Sequence, residues 1–137
     1  MPKLHLRMNM KNICFTLVIC LGLMACSKDP GEGGLASISG KVYVLEYNGN
    51  CSELRDEYYG IDEDVYIIAG DDPSYFERVR TGPDGTFWFP YLRKGKYQVY
   101  ALSENCEVPG ALEAIIKTVE ITERKQKVIT ENIEVIR

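Results

Sequence analysis

Few residues of this chain are equipped for bond-making chemistry. Its single histidine, His5, stands in a basic and apolar leader that ends near residue 25. Once that leader is removed the chain has no imidazole, which excludes Ser-His-Asp and Cys-His nucleophilic catalysis and every histidine-ligated zinc site. What remains is carboxylate chemistry. Glu53 with Asp56 or Glu57 has the residue types of an acid-base pair, but the three share one loop and nothing in the pattern places a pocket over them. Asp62, Glu63 and Asp64, with Asp71 and Asp72 across a strand end, offer the oxygen ligands that calcium takes. Their spacing matches no EF-hand loop, and a solvated acidic loop explains them as well. The expectation is no catalytic residue, no metal and no cofactor.

The leader carries a more specific signal. Lys3, Arg7 and Lys11 precede or flank the apolar run Ile13 to Leu23, and its eleven residues fall short of the roughly 20 that span a bilayer. Residues 1–25 therefore read as a signal peptide, with Met8 or Met10 as alternative starts. Leu23-Met24-Ala25-Cys26 resembles the lipobox of bacterial lipoproteins, with Met24 its less usual occupant. The resemblance implies cleavage before Cys26, acylation of that residue by chains such as palmitate, and a membrane anchor in the cell envelope. The outer membrane is the expected one, its periplasmic or surface face left open. Several acyl chains hold stably where one is marginal. The alternative is a plain secretory signal with Cys26 as an ordinary thiol. Cys14 and Cys20 would leave with the leader and Cys26 would be taken by lipid. Cys51 and Cys106 then remain, in an exported chain, as a disulfide or as two free thiols, the disulfide being expected.

Removing residues 1–25 removes three basic residues and no acidic ones, so the formal charge moves from -4 to -7. An acidic domain disfavours nucleic acid as a partner. It equally disfavours attraction to an anionic bilayer, which leaves the lipid as the membrane contact.

The elements that position these residues are strands. Thr81 to Ala101, TGPDGTFWFPYLRKGKYQVYA, turns at Pro83-Asp84-Gly85, runs out as Thr86 to Phe89, stops at Pro90, turns at Lys94-Gly95 and alternates from Lys96 to Ala101. Period-two alternation adds Ser37 to Tyr47, Val65 to Ala69, Tyr75 to Arg80, Ile116 to Thr122 and Val128 to Ile136. Ser52 to Tyr59 and Gly110 to Ile116 are each compatible with a helical turn or two. Cys26 to Gly34 reads as a flexible tether, and residues 35–137 as one domain of all-β class, a seven-stranded antiparallel β-sandwich.

Thr81, Asp84, Gly85, Phe87 and Phe89, followed by Leu92, Gly95, Tyr97 and Val99, match the T-x-x-D-G-x-F-x-F…L-x-x-G-x-Y-x-V signature. The stretch thus resembles carboxypeptidase regulatory-like domains and their Cna B-type relatives, which implies a prealbumin-like (transthyretin/Ig-like) sandwich. The chain departs from that pattern between Asn48 and Asp64, where a longer segment replaces a short connection. Cna B-type domains can join a lysine to an asparagine. Here alternation points Lys41 and Asn132 away from the core, so no isopeptide is expected.

If Val42, Val44, Val65, Ile67, Phe87, Phe89, Val99 and Ala101 face inward, then Tyr43, Tyr66, Trp88 and Tyr100 face outward, beside Leu45 and Ile68. A solvated sheet face ordinarily carries Thr, Lys and Glu. Either the Asn48 to Asp64 segment covers these rings, the expectation for Tyr43 and Tyr66, or they form a contact patch, the expectation for Trp88. The functional expectation is a lipid-anchored, non-catalytic interaction or structural module with an envelope protein partner. The alternative is a carbohydrate-binding module that uses exposed aromatics, since starch-binding modules share the general architecture and the chain has nine tyrosines and one tryptophan.

Overall fold

The computed structural model describes residues 28–137; the leader, Cys26 and the expectations attached to them lie outside the described residues. Every regular element described is a strand: β1 (Glu32–Tyr47), β2 (Leu54–Tyr59), β3 (Asp64–Ala69), β4 (Glu77–Arg80), β5 (Thr86–Leu92), β6 (Gly95–Glu104), β7 (Leu112–Ile121), β8 (Lys127–Ile129) and β9 (Ile133–Ile136). They form two sheets.

The first sheet is built on β1. Along one edge β1 pairs antiparallel with β5 (Gly40 opposite Phe87) and then with β2 (Tyr43 opposite Tyr59). The exchange happens at Val42, whose N–H donates to the Gly85 carbonyl and whose carbonyl accepts from the Gly60 N–H, both at 3.0 Å. Along the other edge β8 and β9 run parallel to β1, with Ile38 opposite Val128 and Val44 opposite Val135. The second sheet is antiparallel throughout, in the order β4-β3-β6-β7.

Alternation puts one face of each sheet into a single apolar cluster. Ile38, Val42, Val44, Phe87, Phe89, Ile133 and Val135 come from the first sheet, and Val65, Ile67, Tyr97, Val99, Ala101 and Ile121 from the second. Phe87 and Phe89 lie with ring centroids 6.0 Å apart. Tyr97 is fully buried yet keeps its hydroxyl satisfied: it donates to the Arg93 carbonyl at 2.7 Å and accepts from the Gly31 N–H at 2.8 Å. Burial pushes the Tyr97 hydroxyl above the ordinary tyrosine range. One side chain thereby pins the segment before β1 to the β5–β6 turn.

Several expectations change. There are nine strands rather than seven, because the Asn48 to Asp64 segment supplies β2 in place of a helical turn, and the last alternating stretch divides into β8 and β9. The sheets are not antiparallel throughout. After β7 the chain crosses from the second sheet to the first through Thr122 to Gln126, and a crossover can enter in either direction where a hairpin cannot. Pro90 does not end β5. Ala36 opposes Leu92 while Ile38 opposes Phe89, so β5 carries one extra residue there, a bulge with Tyr91 at φ 58°. A bulge is where a residue without an N–H costs a ladder least. Regular structure begins at Glu32, earlier than Leu35, with the Gly31 carbonyl accepting the Arg93 N–H at 2.8 Å.

Candidate functional site

The outer face of the second sheet concentrates aromatic surface. On β3, Val65, Ile67 and Ala69 point inward, so Tyr66 points outward; its cross-strand neighbours are Arg78 on β4 and Tyr100 on β6, and Tyr100 in turn opposes Ile116 on β7. The result is a row Arg78, Tyr66, Tyr100, Ile116 across four strands. The Tyr66 and Tyr100 rings stack with centroids 5.0 Å apart and planes 14° apart. Tyr75, from the turn before β4, meets Tyr66 edge-on at 4.9 Å. Packing among these rings buries the Tyr100 hydroxyl in part and pushes it above the ordinary tyrosine range, with Tyr66 and Tyr75 adding to the effect. Tyr75 and Ile116 each leave about half of their surface exposed, 49% and 48%.

Beside Tyr66 lies a cavity of about 300 Å³ bordered by Asp62, Glu63, Asp64, Leu112 and Arg137. Three of its carboxylates have partners, and the fourth, Glu104, has none among the described residues. Arg80 reaches Asp62 at 3.2 Å and Asp64 at 3.3 Å, Arg78 reaches Asp64 at 3.5 Å, and Arg137 pairs with Glu63. Asp71 and Asp72 follow the far end of β3, a strand's length from Asp64, so the two acidic groups are not brought together. Among the described residues no cluster of three or more His, Cys, Asp or Glu is arranged to hold a metal. Glu53, Asp56 and Glu57 are all exposed along β2 and the turn before it.

The four outward aromatics do not form one patch. Tyr66 and Tyr100 belong to the second sheet, Tyr43 and Trp88 to the first. The Asn48 to Asp64 segment extends the first sheet beside β1 rather than folding over its face, and it supplies Tyr59, whose ring meets Tyr43 edge-on at 5.2 Å. It does not cover Tyr66. Trp88 opposes Ser39 and is 56% exposed. Tyr75, Ile116 and Tyr59 escape sequence reasoning because cross-strand partners follow from register, which alternation does not contain.

Lys41 and Asn132 both sit outside the core. The Lys41 Nζ lies 3.4 Å from the Asp84 carboxylate and 4.6 Å from the centre of the Tyr59 ring, while Asn132 is exposed between β8 and β9. Cys51 and Cys106 are joined, S–S 2.05 Å, and the bond ties the β1–β2 turn of the first sheet to the β6–β7 loop of the second.

The turn before β5 yields a pH-dependent prediction. The Thr86 hydroxyl and N–H donate to the Asp84 carboxylate at 2.8 and 3.1 Å, and with Lys41 they hold its carboxyl below the ordinary carboxylate value of 3.8. The folded value is depressed, so this contact stabilises the fold above the unfolded value and is lost as pH falls through the folded one. A carboxyl NMR titration of Asp84 is expected to show that depression, and Thr86→Val to raise the value again. If the valine variant leaves it in place, Thr86 is not the cause.

No protein-family model matches the chain, and no curated protein does. Among solved structures the chain is similar to a protein from Pseudomonas aeruginosa described, provisionally, as carbohydrate binding. The two are 14% identical, with a TM-score of 0.44, over 78% of this chain and 91% of that one.

Proposed function

We propose that the chain is a lipid-anchored, non-catalytic binding module of the cell envelope, and that the tyrosine face of its second sheet holds a protein partner. The fold we assign it is a prealbumin-like β-sandwich of the carboxypeptidase regulatory-like and Cna B-type kind. The Thr81 to Val99 signature supports that assignment. So does the strand count: with β8 and β9 taken as one strand and the added β2 set aside, nine strands reduce to seven. The anchor rests on the lipobox-like Leu23-Met24-Ala25-Cys26.

The observation that carries the binding role is the Tyr75, Tyr66, Tyr100 and Ile116 array, apolar and aromatic where a solvated sheet face carries polar residues. Tyrosine dominates protein contacts because it presents a large rigid surface with a polar edge. Crosslinking in whole cells tests this reading. The wild-type chain is expected to give a discrete envelope adduct, and Tyr66→Glu with Tyr100→Glu is expected to abolish it while leaving the fold intact by circular dichroism. An adduct that survives both substitutions overturns the face. Cys26→Ser is expected to release the protein from the membrane fraction or leave it as precursor; a processed, membrane-bound variant overturns the anchor.

A second reading, oligosaccharide capture, is favoured by the exposed Trp88 ring on the opposite sheet. Trp88 emission in the folded domain is expected to be red-shifted and readily quenched. Under the glycan reading, oligosaccharides then shift it to the blue. A blue-shifted, protected emission in a monomer excludes Trp88 as a contact of either kind.

A further inference from the structure

Among the described residues of this net negative chain, a cavity is rimmed only by positive charge. Lys28, Arg93, Lys94 and Arg124 border about 270 Å³ of space together with Gly33, Gly34 and Leu92, and no carboxylate borders it. The four come from three places: the segment before β1, the β5–β6 turn, and the β7–β8 crossover. Lys125 follows Arg124 in the same crossover, and Lys127 opens β8. Among the described residues none of these six cations makes an ion pair, whereas Lys41, Arg78, Arg80, Lys117 and Arg137 all do.

The site is built around Arg93. Its Nε is buried and has no hydrogen-bond partner. The Nε is closed off by the protein itself, and Arg93 contributes to the recess as a half-buried charge. The guanidinium lies against the chain at Gly33, where an added Cβ would sit 3.1 Å from its Nη2; at Gly34 an added Cβ would fall 1.9 Å from the Leu92 carbonyl oxygen. Two glycines thus let the start of β1 close against the Leu92–Arg93 segment. Glu32 and Asp72 border a second cavity, which Arg93 also lines. Asp29 and Glu123 are exposed neighbours of Lys28 and Arg124.

Arginine forks and lysine point charges in one recess are the chemistry that recognises a phosphoryl oxyanion. We infer that this recess binds the phosphate of an anionic lipid headgroup in the leaflet that holds the anchor, docking this end of the domain on the bilayer. The step to a lipid phosphate rests on the anchor reading, because Lys28 stands two residues after Cys26. Residues 28–137 carry 13 cationic and 20 acidic side chains, a net charge of -7, and that total argues against an anionic surface. Exposed charges are largely screened beyond about 8 Å at physiological salt, however, so at contact the local rim outweighs the distant carboxylates.

The test uses residues 26–137 with Cys26→Ser, a piece that contains the whole apolar core and the disulfide. Vesicles of phosphatidylcholine with one third phosphatidylglycerol are compared with phosphatidylcholine alone by cosedimentation. Binding to the anionic vesicles is expected to be at least about tenfold stronger at physiological salt, and to be lost in 0.5 M salt or when Lys94→Glu and Arg124→Glu are combined. Both substituted residues are exposed, so folding is expected to be kept. Arg55→Glu on β2 is the control expected to change nothing. Saturable binding of inorganic phosphate without vesicle preference assigns the recess to a free anion and overturns the lipid. Binding to neither, or vesicle binding indifferent to the double reversal, overturns the recess. Because this protein lacks the cysteine, vesicle preference here combined with an unlipidated Cys26 in cells would leave the recess standing and remove only the anchor.

Discussion

Reduction of the Cys51–Cys106 bond is expected to lower the stability of the domain by about 4 kcal/mol. The bond closes a 55-residue separation, and in the chain-entropy account a loop of that length greatly restricts the unfolded ensemble. Position adds to length. The bond ties a turn of the first sheet to a loop of the second, at the end of the domain away from the Gly31–Arg93–Tyr97 contacts. Other ties at that end are hydrogen bonds, among them the Arg137 guanidinium to the Leu102 carbonyl at 2.9 Å and the Ile136 N–H to the Ser103 hydroxyl at 2.8 Å. Denaturant unfolding with and without reductant, with Cys51→Ser/Cys106→Ser as a check, measures the difference. An unchanged midpoint, together with two titratable thiols in the native protein, contradicts it.

The next largest effect is expected from Gly85→Ala, about 2–4 kcal/mol. Gly85 adopts φ +76°, where a non-glycine residue costs roughly 1–2 kcal/mol. A Cβ there would also stand 2.8 Å from the Tyr59 Cβ and 3.0 Å from the Val42 carbonyl oxygen. Neither neighbour is the free end of a flexible side chain. The Gly85 carbonyl accepts the Val42 N–H, so relief of the contact disturbs the place where β5 hands the edge of β1 to β2. The matched control is Gly49→Ala, where nothing lies within 4 Å of the added carbon. Urea midpoints for the two variants separate the cases; a Gly85→Ala change of less than about 0.5 kcal/mol, the range of an ordinary surface substitution, contradicts the account.

What could be read from the sequence was local. Val42, Val44, Val65, Ile67, Phe87, Phe89, Val99 and Ala101 are all buried, as alternation requires, because the side chains of a strand change sides at every residue. The Asp84-Gly85 turn and the cysteine pairing were accessible for similar reasons. Partnership between strands was not. Tyr43 and Trp88 share the pattern of Tyr66 and Tyr100 but belong to the other sheet, and no period of two says which sheet a strand joins. β2 was hidden because LRDEYY lacks apolar alternation, and it forms an exposed edge that needs none. The direction of β8 and β9 depends on a crossover, and the Pro90 bulge on the course of β1 opposite it. Charge misled in another way: a total of -7 averages over a surface on which Lys28, Arg93, Lys94 and Arg124 stand together.

The length and sharing of β1 also determine how the domain would carry load. A pull entering ahead of Gly31 runs along the axis of β1, whose sixteen residues are bonded to β5 and β2 on one edge and to β8 and β9 on the other. Strands drawn past one another along their length must break many ladder bonds together, whereas a hairpin peeled from its end loses them one at a time. The Tyr97 hydroxyl, bonded to Gly31 on one side and to Arg93 on the other, lies ahead of that ladder and takes the strain before it. Under the proposed lipid anchor, load from Cys26 would enter the domain through β1, which pairs with four other described strands.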